Sequence, residues 1–307
     1  MILGLIIFRL GRPSMGNHGD VPLHPRGKST GLLSGRTLCY AGSLACVPLV
    51  VQLFHYYEVM NSLMLGLSAL ALAYVLYEAF RLPLALRNKL LAAMLMIISS
   101  VFFWAFYSQN SGSLNLFAMR NVDMHLFGIA LAPLSVNNFL PPFWVISLSP
   151  VFAWLWLFLA KRKREPSTPV KFALAFLFLA LSFSLLGLSS RWSSGGLVSI
   201  WSLTGSYFLL ICGELCLSPI GLSMVTSLSP ARMVGVMMGI WFLATSLGEF
   251  LASKIGALMS IPEGLKTAAD TLPYYEHILL RIAEGSAIAG LIFLALVPVM
   301  KKWMGRE

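Results

Sequence analysis

Long uninterrupted apolar runs, rather than alternating apolar and polar residues, dominate the chain. About 20 apolar residues make a helix that crosses a bilayer, whereas the strands of a transmembrane barrel would show a period of two. The pattern therefore predicts an all-α membrane protein. Eight runs are predicted to be transmembrane helices: residues 38–57, 59–79, 90–110, 143–160, 172–189, 197–217, 233–253 and 282–300.

The segments between these runs are shorter or richer in polar residues. Residues 11–37 are rich in Gly, Pro and Ser, which predicts a linker. The other long connections are predicted at 111–142 and 254–281. Residues 1–10 contain too few apolar positions to span a bilayer. They are either a weak signal peptide, although no small-residue cleavage site follows, or the tail of a helix.

Charge is scarce and unevenly placed. Only 11% of the residues are charged, against about 25% in soluble domains. The net charge of +10 could indicate nucleic-acid binding, but 17 of the 22 Lys and Arg residues fall in alternate loops. This is the positive-inside bias. It predicts cytoplasmic termini, a cytoplasmic loop 161–171 and no nucleic-acid partner.

One carboxylate lies well inside an apolar run, at Glu214. An ionised acid at the centre of a bilayer costs about 2.5–3.5 kcal/mol on insertion scales. Helical spacing places Tyr207, Glu214, Ser218 and Gly221 on one polar stripe, and Pro219 removes a backbone N–H there. Intramembrane acids mark a transport path more often than a structural ion pair, and both interpretations stay open.

Two other runs carry similar stripes. The first consists of Ser100, Trp104, Tyr107, Ser108 and Ser111; the second consists of Met238, Trp241, Thr245 and Glu249. Three such stripes predict a water-accessible cavity inside a helix bundle. Ordinary packing explains the two Trp residues equally well, and an interfacial position explains Glu249. The Gly235-x-x-x-Gly239 spacing predicts a close-packing face.

The residues suited to metal or covalent chemistry form no set. Cys212 and Cys216 point away from Glu214 on the same helix, at 100° per residue. We expect these and Cys39 and Cys46 to be small buried hydrophobes. All five histidines lie in loops or at the ends of runs. The sequence therefore predicts no metal site, no cofactor and no enzyme activity.

Four segments resemble the proton-dependent oligopeptide transporters of the major facilitator superfamily. FFWAFYSQNSGSLNLFAMRNVD (102–123) resembles that family's seventh helix, and PPFWVISLSPVFAWLW (141–156) resembles its eighth. GELCLSPIGLSMVTSLSPARMVGVMMGIWFLAT (213–245) resembles the tenth and eleventh. LGLIIFRLGRPSMGNHG (3–19) resembles the end of the sixth helix and the loop after it.

The resemblance implies a domain organisation. Residues 1–10 would be the remnant of the sixth helix, and 11–37 a cytoplasmic linker. Residues 38–86 would be the extra transmembrane helix pair of bacterial members. Residues 87–307 would be the C-terminal six-helix bundle of the major facilitator fold, so that a two-helix transmembrane hairpin precedes it. The family's first five helices and most of the sixth have no counterpart.

The resemblance also implies roles for single residues. Glu214 matches the acid of a GE-x-x-x-S-P motif that pairs with the peptide amine or with a Lys of the family's fourth helix. Ser218 matches the serine beside the substrate cavity. Trp104 and Trp241 match aromatic walls of side-chain pockets. A list of candidates for gating and proton coupling comprises Glu214, Asp123 and Arg120.

Two positions depart from the family pattern. Ser108 stands where many members have a Glu that helps to couple proton movement to gating. Pro141 stands where the family usually has an Asn that contacts the peptide backbone, unless Asn137 or Asn138 takes that part in a shifted register.

The resemblance implies di- and tripeptide:proton symport, with the proton as coupling ion and no cofactor. The expected partners are di- and tripeptides, the lipid bilayer of the cell (inner) membrane and a separate N-terminal transporter half. Transport by this chain alone is not expected. The alternatives are a non-transporting membrane scaffold or interaction protein and a decayed gene fragment.

Overall fold

The computed structural model describes residues 2–15, 35–126, 128–258, 265 and 267–305. Ten α-helices and four two-residue strands are assigned in these ranges. The chain divides into two compact units, residues 1–62 and 63–307.

The first unit contains α1 (Ile2–Gly11), a short 3₁₀ helix (Arg12–Met15), α2 (Gly35–His55) and the first residues of α3 (Tyr57–Arg81). Pro48 lies inside α2. The 3₁₀ helix packs against the end of α1. The predicted linker 11–37 lies mostly outside the described residues.

The second unit holds the rest of α3 and seven further helices. They are α4 (Leu84–Tyr107), α5 (Ser113–Asn121), α6 (Pro133–Lys161), α7 (Thr168–Leu188), α8 (Ile200–Leu228), α9 (Val234–Leu258) and α10 (Ala268–Met304). The strands are β1 (Val122–Asp123), β2 (His125–Leu126), β3 (Ile129–Ala130) and β4 (Val198–Ser199). β1 pairs with β4 in parallel and β2 with β3 in antiparallel register.

Seven segments among the described residues are long and apolar enough to cross a membrane. They confirm seven of the eight predicted spans, from 59–79 onwards. The first predicted span, 38–57, falls on α2, where several side chains lie outside the described residues, so it stays a prediction.

The helices are longer than the apolar runs that predicted them. α6 starts at Pro133 and α10 at Ala268, so the long connections predicted at 111–142 and 254–281 are wrong. The apolar run marks only the membrane-buried part of a helix. Pro133 at the first turn and the Thr267–Asp270 capping box start these helices further out.

Small residues bring the helices of the second unit together. A Cβ built at Gly290 would lie 2.9 Å from Phe176 Cβ, and one at Gly213 would lie 2.9 Å from the carbonyl oxygen of Ala175. α7 therefore packs closely against both α10 and α8. Fully buried phenylalanines, among them Phe103 and Phe183, fill the space between the helices.

The predicted close-packing face of α9 is not in contact within this chain. A Cβ at Gly235 or Gly239 would meet no atom within 4 Å. The glycine that α9 uses is Gly248, where a Cβ would lie 2.6 Å from Trp104 Cβ on α4. Gly248 lies nine residues after Gly239. This spacing is not a repeat that marks a helix interface, so the sequence did not indicate Gly248 as a contact.

A buried set of hydrogen bonds around Asn121, the last residue of α5, connects three segments of the chain. Asn121 is fully buried; its amide donates to the carbonyl oxygens of Gly196 at 3.0 Å and Ala268 at 2.7 Å. Its Oδ1 accepts from the Thr271 hydroxyl at 3.0 Å. Gly196 has φ +85°, and a Cβ there would lie 2.3 Å from the backbone nitrogen of Ala269. These hydrogen bonds fasten α5, the turn before β4 and the start of α10 to one another.

Candidate functional site

Glu214 lies in the middle of α8 and is partly buried. The hydroxyl of Tyr107, the last residue of α4, donates a short hydrogen bond to Glu214 Oε2. The sequence placed both residues on polar stripes, but it did not predict that they meet. A phenol is a neutral partner, so the carboxylate keeps oxygen lone pairs for a cation.

An aromatic cluster on α4 supports this pair. The Trp104 and Tyr107 rings lie 5.3 Å apart at 82°, and Phe103 meets Trp104 at 5.6 Å and 83°. Edge-to-face contacts of this kind are favourable and limit the rotation of the rings. Tyr107 is therefore held in the position from which it reaches Glu214.

A polar cavity of about 350 Å³ adjoins Tyr107. It is bounded by the end of α4, the turn before α5, the first turns of α6, and Glu249 of α9. Its walls include Trp104, Ser108, Asn137 and Pro141. Such a volume is in the range of small-molecule sites. The predicted water-accessible cavity thus has a counterpart, although only the α4 and α9 stripes contribute to its walls.

Two buried donors at this cavity have no hydrogen-bond partner among the described residues: Trp104 Nε1 and Asn137 Nδ2. The Asn137 side chain is oriented by the hydroxyl of Tyr207, which donates to Asn137 Oδ1 at 3.3 Å. Buried polar groups are nearly always paired, with protein or with water. These two donors are therefore suited to the oxygen atoms of a ligand or of bound water.

Ser218 lies one turn beyond Glu214 on α8 and is partly buried. It is on the same side of the helix as Glu214, as the stripe predicted, but it does not line the cavity at Tyr107. Pro219 follows it inside the helix.

The structure separates Trp241 from Trp104. Trp241 is only 3% exposed, and its ring covers Gly221, where a built Cβ would lie 2.0 Å from Trp241 Cη2. The ring of Phe172 on α7 is an aromatic neighbour of Trp241, with 6.5 Å between the ring centres. In this structure Trp241 packs between α8, α9 and α7 and does not line the cavity at Tyr107; its role as the wall of a peptide pocket stays a prediction.

Arg120 and Asp123 lie away from the cavity, at and after the end of α5. Asp123 Oδ1 accepts from His125 Nδ1 at 2.7 Å and from the His125 backbone N–H at 3.1 Å. These hydrogen bonds lower the pKa of the exposed Asp123 carboxyl below its usual value. The exposed Arg120 lies beside Tyr275 of α10. Neither residue touches Glu214.

The cysteines are buried only in part. Cys212 and Cys216 are free and buried, as expected, but Cys46 is exposed, so that part of the prediction is wrong. The side chain of Cys39 lies outside the described residues. No group of three or more His, Cys, Asp and Glu in the described residues could hold a metal ion.

Sequence reasoning missed two residues of this region. It did not assign a role to Asn121, which sits between the two residues that it did choose. It offered Asn137 only as one of two alternatives for Pro141. Both amides lie in the segment 111–142, between two predicted spans. The signal available was that apolar residues flank each of them, so that a buried amide there must find hydrogen-bond partners.

Comparison with known proteins places the chain. The family model described as PTR2, POT family, matches residues 1–270. The chain is 31% identical over 306 residues to a protein of Edwardsiella piscicida named dipeptide and tripeptide permease B, covering 99% of this chain and 61% of the relative. The dipeptide and tripeptide permease A of Escherichia coli is 31% identical to the chain over 267 residues. This match covers 86% of this chain and 52% of that protein.

Solved structures agree with the sequence comparison. A POT peptide transporter in complex with alafosfalin matches with 30% identity and a TM-score of 0.69, over 99% of this chain and 60% of that chain. Tetrameric PepTSo2 matches with 28% identity and a TM-score of 0.73, over 98% and 61%. The chain thus spans about three fifths of the length of these two structures. It belongs to the POT family, a family of peptide transporters of the major facilitator type.

Proposed function

We propose that this chain is the C-terminal portion of a di- and tripeptide:proton symporter. The observation that carries the proposal is the Glu214–Tyr107 pair, an acid inside a membrane span next to a polar cavity with two unpaired donors. An acidic side chain inside a membrane span costs free energy, and such residues mark the paths of cations and protons.

The arrangement matches the two ends of a short peptide. Glu214 offers carboxylate oxygens to the α-ammonium group. Asn137 Nδ2 and Trp104 Nε1 offer N–H donors to peptide carbonyl or carboxylate oxygens. Pro141 cannot supply a donor, so Asn137, one helical turn earlier, takes the part of the family's asparagine.

Proton coupling follows from competition at one carboxylate. Glu214 can hold either a proton or the peptide ammonium in an ion pair, and Tyr107 hydrogen-bonds to the same group. Binding of one cation therefore changes the affinity for the other. Ser108, beside this pair, cannot take over the acid's role, so we assign the coupling to Glu214. Asp123 and Arg120 are assigned to gating at the far end of α5.

The second wall of the cavity is proposed to come from a separate helix bundle. Gly235, Gly239, Phe242, Ser246 and Glu249 form one exposed stripe along α9, and two of them are the glycines that meet nothing in this chain. Close helix contact across this stripe would complete the transport path between two bundles. We place the protein in the inner membrane with both termini in the cytoplasm, from its charge distribution.

Uptake by a reconstituted two-part transporter tests the proposal. The chain is placed in proteoliposomes with the N-terminal bundle of a POT relative, and dipeptide uptake is followed under an inward proton gradient. We expect uptake from the pair and none from either part alone. Glu214→Gln, which keeps the shape of the side chain, is expected to abolish uptake.

The matched controls are Cys212→Ala and Cys216→Ala, which alter buried side chains on the other side of α8. These variants are expected to retain uptake. Loss of uptake in the cysteine variants together with full uptake in Glu214→Gln would remove the basis of the site assignment.

A further inference from the structure

A second and larger cavity, of about 490 Å³, lies between α6, α7 and α8. Neither Glu214 nor Tyr107 lines it; its walls come from the second half of α6, Glu165, the start of α7 and the part of α8 between Leu215 and Ser227. Trp156, Thr168, Lys171 and Ser223 are among the residues that line it. Nothing in the proposed transport function uses this cavity.

The basic group in its wall is Lys171, which is only 7% exposed, and the acidic group is Glu165. Its ammonium donates to Glu165 Oε1 at 2.5 Å and lies 4.5 Å from the centre of the Trp156 ring. An ammonium has three N–H bonds, and Glu165 is the one hydrogen-bond acceptor that the described residues give it. A buried charge is stable only when it is well compensated.

Positive charge at this place exceeds what Glu165 can neutralise. The segment 161–171 holds five basic residues and one acid, and the four basic residues before Glu165 are exposed. Trp156 Nε1 is a buried donor in the cavity wall without a partner among the described residues. Hydroxyl groups of Thr168 and Ser223 lie in the same wall. The cavity therefore offers donors and positive charge to an anion with several acceptor oxygens.

The location favours a membrane lipid as the source of this anion. The residues that line the cavity include Trp156 near the end of α6 and Thr168 at the start of α7, at the predicted edge of the bilayer. Leu157 of α6 is 65% exposed and lies one turn beyond Ala153, which lines the cavity, so the cavity continues into an exposed apolar side of the same helix. Basic pockets between transmembrane helices on the cytoplasmic side are typical sites for anionic lipid head groups.

We infer that this cavity binds the phosphate of an anionic phospholipid, with Lys171 and Trp156 Nε1 as donors and Glu165 as the group that the phosphate displaces. The acyl chains would lie along the exposed apolar side of α6. This site is independent of the peptide site at Glu214.

Lipid retention by the purified full chain tests the inference. The chain in detergent micelles is titrated with phosphatidylglycerol or phosphatidylcholine, and bound lipid is counted by native mass spectrometry. We expect saturable binding of one phosphatidylglycerol in preference to phosphatidylcholine. Lys171→Met is expected to weaken that binding by about tenfold, as the loss of a charge-assisted hydrogen bond does.

The control is Lys301→Met, the same change at an exposed lysine in the last turn of α10. It is expected to alter binding by less than about twofold. Equal weakening by both changes would reduce the effect to diffuse surface charge and overturn the inference.

Glu165→Gln separates a binding site from a structural ion pair, and it remains informative if Lys171→Met does not fold. Removal of the competing carboxylate is expected to tighten phosphatidylglycerol binding. Weaker phosphatidylglycerol binding in this variant would show that the Lys171–Glu165 pair serves the structure, and it would contradict the proposal. The last experiment adds inorganic phosphate to the chain with bound phosphatidylglycerol. If phosphate at the same concentration as the lipid displaces it, the site belongs to a soluble phosphate and the lipid assignment is overturned.

Discussion

Gly221→Ala tests whether Trp241 is a packing residue, as the structure places it, or an open pocket wall. The added Cβ would lie 2.0, 2.5 and 2.8 Å from three atoms of the Trp241 ring. Carbon atoms pack at about 3.5–4.0 Å, so the ring would have to move by roughly 1.5 Å. Trp241 is 3% exposed and has little room to do so.

The magnitude follows from two opposing effects. Overpacking of a core costs about 1–3 kcal/mol, whereas replacement of a glycine inside a helix by alanine returns about 0.5–1 kcal/mol. We expect Gly221→Ala to lower the free energy of unfolding by about 1–2 kcal/mol. In a Trp241→Leu background the clash is gone, so the same change is expected to be neutral or stabilising. The coupling between the two sites is then about 2 kcal/mol.

The assay is thermal or denaturant unfolding of the purified chain in detergent micelles, for the two single variants and the double variant. Gly239→Ala on α9 is the control, because its Cβ would meet nothing within 4 Å. An equal cost of Gly221→Ala with and without the Trp241 ring would refute the placement of that ring over Gly221.

Three further predictions concern the topology and the far end of the bundle. A cysteine introduced at Lys163 is expected to react with an impermeant reagent only after cells are permeabilised, and strong labelling of intact cells would reverse the topology. Asn121→Leu removes three buried hydrogen bonds and is expected to cost about 2–4 kcal/mol of stability, whereas Asn115→Leu, which loses a bond within its own turn, should cost less than about 1 kcal/mol in the same unfolding assay. The hydrogen bonds from His125 lower the Asp123 pKa, so their stabilisation is present above the usual carboxyl pKa and lost as pH falls through the lowered value. The difference in unfolding temperature between wild-type protein and Asp123→Asn should therefore be full at neutral pH and shrink as the pH falls below the usual carboxyl range. A difference that stays constant over this range would contradict the assignment.

The membrane helices could be predicted from the sequence because the bilayer imposes a simple rule on their length and composition. Seven of the predicted spans are helices in the structure. The ends of the helices could not be predicted in the same way. At Pro133 and Thr267 they depend on capping and on contacts with other helices, which hydropathy does not record.

The site was predictable one helix at a time. Spacing placed Tyr107 and Glu214 on the polar sides of their own helices, and both lie where expected. Which stripes meet is decided by close approach of backbones, as at Gly248 against α4. α9 contains Gly235, Gly239 and Gly248, and only the first two have a spacing that marks a close-packing face, so the sequence favoured Gly235 and Gly239 and missed Gly248. For the same reason it could not tell that Trp104 borders a cavity while Trp241 covers a glycine.

The most direct test of the account is whether Glu214 recognises the amino group of a peptide. The chain is paired with the N-terminal bundle of a POT relative, and inhibition of labelled dipeptide uptake is compared for dialanine and N-acetyl-dialanine, which lacks the ammonium group. In a variant such as Glu214→Asp, which keeps a carboxylate and residual uptake, dialanine is expected to remain the better inhibitor. In Glu214→Gln, measured by binding of labelled dipeptide because uptake is lost, the two compounds are expected to compete equally. A clear preference for dialanine that survives Glu214→Gln would contradict the central claim.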